Sequence, residues 1–189
     1  MSTLRDSLFG DAREVVLISG SPAAGKTTLA WPLAERLRWP LITKDRIKET
    51  LYDSMKGVPN SLEESRRFGA GAMETLWALA ALCPRVILEA NFRPKSAYER
   101  GRIADLGGRI VELHCSCPKQ EASRRFKARG EAGIHPAHPW QLADDSFFDE
   151  FEGPIGIGEV MTIDTTRQVD VQAIAEAVRS YFDGANSRG

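Results

Sequence analysis

Two hydrophobic patterns alternate along the chain: short continuous apolar runs, and longer stretches in which apolar residues recur every third or fourth position. The continuous runs predict strands over residues 14–19, 40–43, 85–91, 109–115 and 159–163. The periodic stretches predict helices that begin at residue 26, after Asp45 and at Pro118, and helices over residues 62–82, 94–106 and 171–182. Because strands that alternate with helices form βαβ units, the pattern predicts an α/β fold with a mostly parallel five-stranded sheet.

The helical periodicity also predicts which side chains face the core. The expected inward-facing residues are Leu29, Leu33 and Leu37 in the first helix; Ile47, Leu51 and Met55 in the second; Phe68, Ala72, Leu76 and Leu79 in the third; and Ile174, Ala175, Val178 and Phe182 in the last. Pro32 lies inside the first helix and is expected to kink it or to remove one backbone hydrogen bond. Gly, Pro and His interrupt residues 130–140, which predicts a mobile loop.

Length and charge narrow the class of protein. A chain of 189 residues with 42% hydrophobic and 27% charged residues fits one globular domain over residues 1–189. The net charge of −1 argues against a protein that coats nucleic acid, which needs a broad basic excess, although a local basic groove stays possible.

Cysteine content and hydropathy indicate the compartment. Three cysteines do not form a disulfide framework, which favours a reducing environment. No apolar run reaches the ~20 residues that a membrane span needs, and the polar start lacks the apolar core of a secretory signal. We therefore expect a cytoplasmic protein with no membrane partner.

One motif carries specific chemistry. Residues 20–27 read GSPAAGKT and match the phosphate-binding pattern GxxxxGK(S/T) in full, between a predicted strand and a predicted helix. Backbone amides and the helix N-terminus favour bound phosphate there, Lys26 is expected to reach the β- and γ-phosphates, and the Thr27 hydroxyl is expected to bind Mg²⁺. The residues predicted to contact ATP are Gly20, Ser21, Ala23, Ala24, Gly25, Lys26, Thr27 and Thr28.

Four segments in a fixed order extend this motif into a family resemblance. They are GSPAAGKTTLA, TKDRIKETLYD, VILEANF and CPKQEASRRFKARG. Over about residues 15–138 the chain resembles P-loop kinases of the small AAA-type ATP-binding group, which includes polynucleotide 5′-kinase domains, chloramphenicol phosphotransferase and zeta-toxin-like kinases. The resemblance implies dependence on ATP and Mg²⁺ and a three-layer, nucleoside-monophosphate-kinase-like fold. It also implies the sheet order 2-3-1-4-5 and a small helical lid at about residues 124–140.

Polar residues at the ends of two predicted strands are candidates for the chemistry. Asp45 follows the second strand, where a carboxylate can take the proton of an attacking hydroxyl; the alternative is a plain helix cap. The resembling kinases place their general base in a similar Lys-Asp or Arg-Asp context. Glu89 ends the third strand as a Walker-B-like acid, although the usual residue is Asp, so binding of metal-bound water, substrate orientation and base catalysis all stay open. Asn91 resembles a substrate- or phosphate-contacting residue of related kinases.

Arginines on the Pro118 helix are candidates for the lid. Arg125 and Arg129 are four residues apart and share a helix face, so they can clamp a transferring phosphoryl group. The sequence RFKARG resembles the arginine arrangement of kinase lids, and the alternative is a solvated face with Arg125 paired to Glu121. By the same resemblance, the nucleotide base is expected near the loop that contains Thr166. His135 and His138 follow the predicted lid helix, where a lid or substrate contact and loop packing both stay open.

These observations favour an enzyme that transfers the γ-phosphate of ATP to a hydroxyl of a small molecule or nucleotide-type acceptor. Two alternatives stay open. One is a P-loop ATPase or nucleotide-sensing module without an acceptor; the other is a polynucleotide 5′-kinase, which needs a basic groove with stacking aromatics. The acceptor is expected between the Asp45 helix, the 62–82 helix and Asn91. The sequence identifies neither the acceptor nor the oligomeric state.

Overall fold

The computed structural model describes residues 12–55, 62–138 and 145–186. In chain order, its elements are β1 (Glu14–Ser19), α1 (Lys26–Leu37), β2 (Leu41–Thr43), α2 (Lys44–Met55), α3 (Leu62–Ala80), β3 (Arg85–Glu89), α4 (Ala97–Leu106), β4 (Arg109–Ser116), α5 (Lys119–Glu131), a 3₁₀ helix (Asp145–Phe151), β5 (Glu159–Asp164) and α6 (Val171–Asn186). The strands form one sheet in the order β2-β3-β1-β4-β5, and every pairing is parallel. The predicted α/β fold, five-stranded sheet and strand order are confirmed.

The core has two halves, one on each face of the sheet. Alternate residues of β1 point to opposite faces, so Val16 and Ile18 join a cluster with α1 and α6, whereas Val15 and Leu17 join a cluster with α3 and α4. All four side chains are fully buried, which explains why β1 reads as a continuous apolar run and not as an alternating one.

Parallel pairing brings the carboxyl ends of three strands to one edge of the sheet. Glu89, the last residue of β3, lies opposite Ile18 of β1 and opposite Thr43, the last residue of β2. The segments after β1 and β2 therefore leave the sheet on either side of Glu89, at the edge where α/β proteins bind ligands.

Several predicted helix faces need correction. Leu79 is 42% exposed, because the buried stripe of α3 continues from Leu76 through Trp77 and Ala80. Met55 is also exposed, and the one fully buried residue of α2 among those described is Lys48. Helix α2 therefore lines a cavity and contributes little to the core. The spacing of its apolar residues does not predict this.

The predicted boundaries also shift in places. Strand β3 ends at Glu89, so Asn91 lies beyond it, and α4 begins at Ala97 because the Ser96 side chain accepts a hydrogen bond from the Glu99 amide. Helix α1 runs from residue 26 to residue 37 with Pro32 inside it.

Helix α5 likewise differs at both ends. Pro118 occupies its N-cap and not its first turn, and the helix continues to Glu131, so the predicted loop does not begin at Gly130. Residues 139–140 of that loop and of the expected lid lie outside the described residues.

A pair of leucines on α3 tests this arrangement. Leu76→Ala removes a fully buried side chain and should lower the free energy of unfolding by about 2–5 kcal/mol. Leu79→Ala, one turn away and partly exposed, is the matched control and should change it by less than about 0.5 kcal/mol. Urea denaturation followed by circular dichroism measures both; equal losses would contradict the corrected helix face.

Candidate active site

The loop between β1 and α1 has a backbone that requires glycine at two positions. Gly20 has a φ of 129°, and a Cβ there would lie 2.5 Å from the Cys115 carbonyl oxygen, so the chain passes β4 too closely for any side chain. Gly25 has a φ of 87° and forms the N-cap of α1, and a Cβ there would lie 3.2 Å from the Thr165 Cβ. No side chain caps α1, so its first amides stay available to an anion.

Lys26 lies at the floor of a cavity of about 630 Å³ that begins at this loop. Its side chain is buried, and its Nζ donates a hydrogen bond to the Ser21 carbonyl oxygen at 2.7 Å. Burial lowers the pKa of Lys26, while the nearby Glu89 and Asp45 act in the opposite direction. The ammonium group is thus positioned beneath the loop next to two carboxylates.

Glu89 is a buried carboxylate that faces the same cavity. It forms no hydrogen bond or ion pair with another described residue, and burial raises its pKa to about 7, against the effect of Lys26. An enclosed carboxylate without a partner is a hard oxygen ligand of the kind that Mg²⁺ or its bound water prefers.

Asp45 differs from Glu89 in its environment. Helix α2 begins at Lys44, so Asp45 lies in its first turn and not at the cap position, and it accepts a hydrogen bond from Lys44 Nζ at 3.0 Å. Enclosure by the cavity walls opposes its ionisation, but Lys44, His138 and Lys26 hold its pKa well below the usual range. At neutral pH the Asp45 carboxyl is therefore ionised, whereas the pKa of Glu89 lies close to the ambient pH.

Half of the sequence-predicted site residues line this cavity. They are Ala23, Lys26, Thr27, Asp45, Glu89, Asn91 and Arg129. Asn91 reaches it although β3 has already ended. The predicted residues that do not line it are Gly20, Ser21, Ala24, Gly25, Thr28, Arg125 and Thr166.

The two arginines predicted for the lid diverge. Arg129 lines the cavity, whereas Arg125 donates to Glu121 at 2.7 Å and to the Thr165 carbonyl oxygen at 3.3 Å. The expectation that both clamp one phosphoryl group is therefore not met in this structure. Arg125 instead ties α5 to the loop after β5, where the Thr166 hydroxyl donates to Asp164 at 2.6 Å.

The segment after α5 is held against α2 by two histidines. His138 Nε2 lies 3.1 Å from Glu49 Oε1, and His135 Nε2 lies 3.2 Å from Asp53 Oδ1. The Ser65 hydroxyl of α3 also donates to the Ala137 carbonyl oxygen. Within the described ranges no three His, Cys, Asp or Glu side chains form a metal-binding group.

Sequence reasoning expected the acceptor between α2, α3 and Asn91 but did not identify the side chains there. They form a wall of polar and aromatic residues from α2, α3, α4, α5 and the segment after α5, among them Lys44, Lys48, Ser65, Arg66, Tyr98, Phe126 and His138. The sequence contains a pattern that could have identified two of them: Lys44 and Lys48 are one helical turn apart and lie on either side of Asp45.

The raised pKa of Glu89 makes a prediction about stability. Between pH 4.5 and about 7 the folded protein binds more protons at Glu89 than the unfolded chain does, so this group lowers the free energy of unfolding as pH rises through that window. Glu89→Gln has no such titration. The free energy of unfolding of the variant, relative to that of wild type, should therefore rise by on the order of 3 kcal/mol between pH 4.5 and pH 7.

Urea denaturation without nucleotide or divalent cations measures this difference. Glu35→Gln, an exposed carboxylate on α1, corrects for the loss of one negative charge. A stability difference that stays constant with pH would show that Glu89 ionises normally.

Comparisons with known proteins agree with the fold. Residues 15–153 match the model of the AAA domain family AAA_33. No curated protein matches the sequence significantly. A protein of Chloroflexus aurantiacus, provisionally named a kinase, is 28% identical with a TM-score of 0.76 over 89% of this chain and 98% of its own.

Two more distant structures share the fold. APS kinase of Mycobacterium tuberculosis, in complex with AMPPNP and APS, is 18% identical with a TM-score of 0.59, over 90% of this chain and 98% of its own. Shikimate kinase of Acinetobacter baumannii, in complex with shikimate, is 17% identical with a TM-score of 0.55, over 93% and 96%. No helix among the described residues is long and apolar enough to cross a bilayer. The chain therefore belongs to the AAA domain family, and its fold is that of the small P-loop kinases.

Proposed function

We propose that this protein transfers the γ-phosphate of ATP to a hydroxyl group of a small-molecule or nucleotide-type acceptor. One observation carries the proposal: Lys26, Asp45 and Glu89, which leave three adjacent strands at one edge of the sheet, face a single cavity that continues from the phosphate-binding loop to the α2–α3 wall. A bare ATPase needs the loop and the metal site, but it has no need of the second wall.

The nucleotide belongs at the loop end of the cavity. The backbone amides at the start of α1 suit the β- and γ-phosphates, with Lys26 exchanging its bond to the Ser21 carbonyl oxygen for phosphate oxygens. Arg129 adds positive charge from the lid side, where negative charge shifts during transfer. The segment near Thr166, tied to α5 by Arg125, borders the loop at Gly25 and suits the nucleoside end.

The residues present also fit Mg²⁺. Thr27 offers a hydroxyl ligand at the start of α1, and Glu89 offers a buried carboxylate, without a partner in the described part of the chain, to receive metal-bound water. Bound Mg²⁺ would supply neutralisation of the charge that develops on the β- and γ-phosphate oxygens. Binding should draw Glu89 into its ionised form, because a nearby cation lowers a carboxyl pKa.

Asp45 is proposed as the proton acceptor. It is ionised in the folded protein and half-exposed to the cavity, so the acceptor hydroxyl can donate a hydrogen bond to it. The hydroxyl oxygen forms a bond to the γ-phosphorus, the bond to the β–γ bridging oxygen breaks, and ADP leaves with that electron pair. The hydroxyl proton moves to Asp45 late, which suits the loose transition state of phosphoryl transfer and a carboxylate of low pKa.

Substitution of Lys26 tests nucleotide binding. Lys26→Ala should weaken ATP·Mg²⁺ binding by about 10- to 100-fold, since a charge-assisted hydrogen bond is lost, and should nearly abolish turnover. Isothermal titration calorimetry and an ADP-release assay measure the two effects. Lys127→Ala, an exposed α5 lysine outside the cavity, is the control; equal affinities in all three proteins would refute the nucleotide site.

Substitution of Asp45 separates transfer from hydrolysis. Asp45→Asn keeps the shape but removes the basic oxygen, so transfer to an acceptor found by an ADP-release screen of alcohols, sugars, nucleosides and 5′-hydroxyl oligonucleotides should fall by ~10²–10⁴. Acceptor-free ATP hydrolysis should fall less, because water can lose its proton late. The control is Asp105→Asn on the exposed face of α4. Undiminished transfer would exclude Asp45 as base, and hydrolysis with no acceptor at all would favour an ATPase.

A further inference from the structure

The end of the cavity away from the phosphate-binding loop contains a buried cation. Lys48 lies on α2, one helical turn after Asp45, and is 6% exposed although it lines the cavity. Full burial of a lysine is rare unless its ammonium group is paired, because removing the charge from water is costly. The groups around the Lys48 ammonium therefore determine how its charge is stabilised.

Within the described residues, Lys48 has no carboxylate partner. Its Nζ donates one hydrogen bond, at 2.8 Å, to the neutral hydroxyl of Ser65 on α3. No ion pair reaches it, although Asp45 and Glu49 lie near enough to act on it through space. An ammonium group has three donors, so two remain for another acceptor. Burial accordingly lowers the pKa of Lys48 to about 8.

A second cation lies on the same wall. Arg66 follows Ser65 on α3, lines the cavity, is exposed, and has no hydrogen bond or ion pair to another residue that the structure describes. Lys48 and Arg66 thus approach this end of the cavity from two helices, and no described residue forms an ion pair with either of them.

The carboxylates of this end mostly have partners already. Glu99 accepts hydrogen bonds from the Arg93 amide and guanidinium, at 2.7 and 2.6 Å. Glu74 accepts from Arg102 and from the Tyr98 hydroxyl. Glu150, on the 3₁₀ helix, is the remaining acid of the lining at this end. The charge available to a ligand beside α2 and α3 is therefore positive.

We infer that the acceptor carries an anionic group, a carboxylate or a phosphate, in addition to its reacting hydroxyl, and that Lys48 and Arg66 bind this group. The inference rests on the proposed function. Asp45 and Lys48 are three residues apart on one helix, so they lie on the same face about 5–6 Å apart at Cβ. An acceptor whose hydroxyl binds Asp45 and whose anionic group binds Lys48 therefore has these two groups a few bonds apart, as in a sugar acid or a sugar phosphate.

A purely structural role for Lys48 makes a different prediction. Through Ser65, which in turn donates to the Ala137 carbonyl oxygen, Lys48 also helps to join α2, α3 and the segment after α5. If that were its whole purpose, its loss would lower stability without changing the preference for charged ligands.

Anion binding is measured on protein whose phosphate-binding loop is already filled. Wild type is first titrated with AMPPNP·Mg²⁺ to saturation, and then with malonate or with inorganic phosphate, by isothermal titration calorimetry. We expect saturable binding of at least one anion; preference for malonate indicates a carboxylate acceptor, and preference for phosphate a phosphorylated one. Lys48→Met should weaken this binding by about 10- to 100-fold, and Lys48→Arg should restore part of it.

A pair of neighbouring arginines provides the matched control. Arg66 is exposed, so Arg66→Met should not impair folding, and it should weaken anion binding by several-fold. Arg67→Met should leave anion binding unchanged because Arg67 does not line the cavity. In the ADP-release assay, sugar acids or sugar phosphates should exceed the corresponding neutral sugars and alcohols in kcat/KM by at least tenfold. That preference should disappear in Lys48→Met.

The outcomes separate the inference from the function on which it rests. Normal AMPPNP binding with no saturable anion binding overturns the inference, as does anion affinity that Lys48→Met and Arg66→Met leave unchanged. Preferential phosphorylation of neutral acceptors also overturns it while the proposed kinase activity stands. Failure of the AMPPNP titration itself counts against the proposed function, and the inference then fails with it.

Discussion

The burial of β1 between β3 and β4 is the constraint on which the site depends. Its side chains are enclosed on both faces of the sheet, so the chain leaves the sheet only at the end of the strand, past the Cys115 carbonyl oxygen. That approach leaves no room for a Cβ at Gly20 and directs the following residues over the sheet edge into α1. Register then sets Glu89 beside the exit, and Lys26 enters from the first turn of α1. The phosphate-binding geometry is a consequence of how the central strand packs.

Three buried charged groups lie at this edge without an ion-pair partner among the described residues. Lys26 is buried against a carbonyl oxygen, Glu89 forms no hydrogen bond with a described residue, and Lys48 is buried against a hydroxyl. Each is a group whose charged form burial disfavours, as the shifted pKa values of all three record. Such arrangements cost stability and persist where a bound group supplies the missing partner. Phosphates beside Lys26, a cation beside Glu89 and an anion beside Lys48 would each supply one.

The sequence predicts the parts of this structure that depend on local or repeating signals. The five strands follow from apolar runs, and the loop at residues 20–27 follows from a motif whose glycines are required by backbone geometry. Asp45 and Glu89 could be assigned to one edge because parallel strands end together. Periodicity fails where a helix borders a cavity: Met55 was expected inside and is exposed, while Lys48 was not considered and is buried. The pairing of Arg125 with Glu121 was one of the two alternatives from the sequence and is observed, but its contact with the Thr165 carbonyl oxygen was out of reach, since Thr165 lies forty residues away.

Ser65 connects α2, α3 and the segment after α5. That segment meets α2 through His135 and His138, and it meets α3 through the Ala137 carbonyl oxygen, which accepts a hydrogen bond from the Ser65 hydroxyl. The same hydroxyl accepts a hydrogen bond from Lys48 Nζ, so the residue proposed to bind the acceptor anion also contributes to the packing of this segment. Arg129, on the helix that leads into the segment, lines the same cavity as Glu89, and its charge opposes the increase in the pKa of Glu89 that burial causes. Substitution of Lys48 therefore changes packing as well as charge, which is why its effect on anion preference, and not its effect on stability, distinguishes a binding role from a structural one.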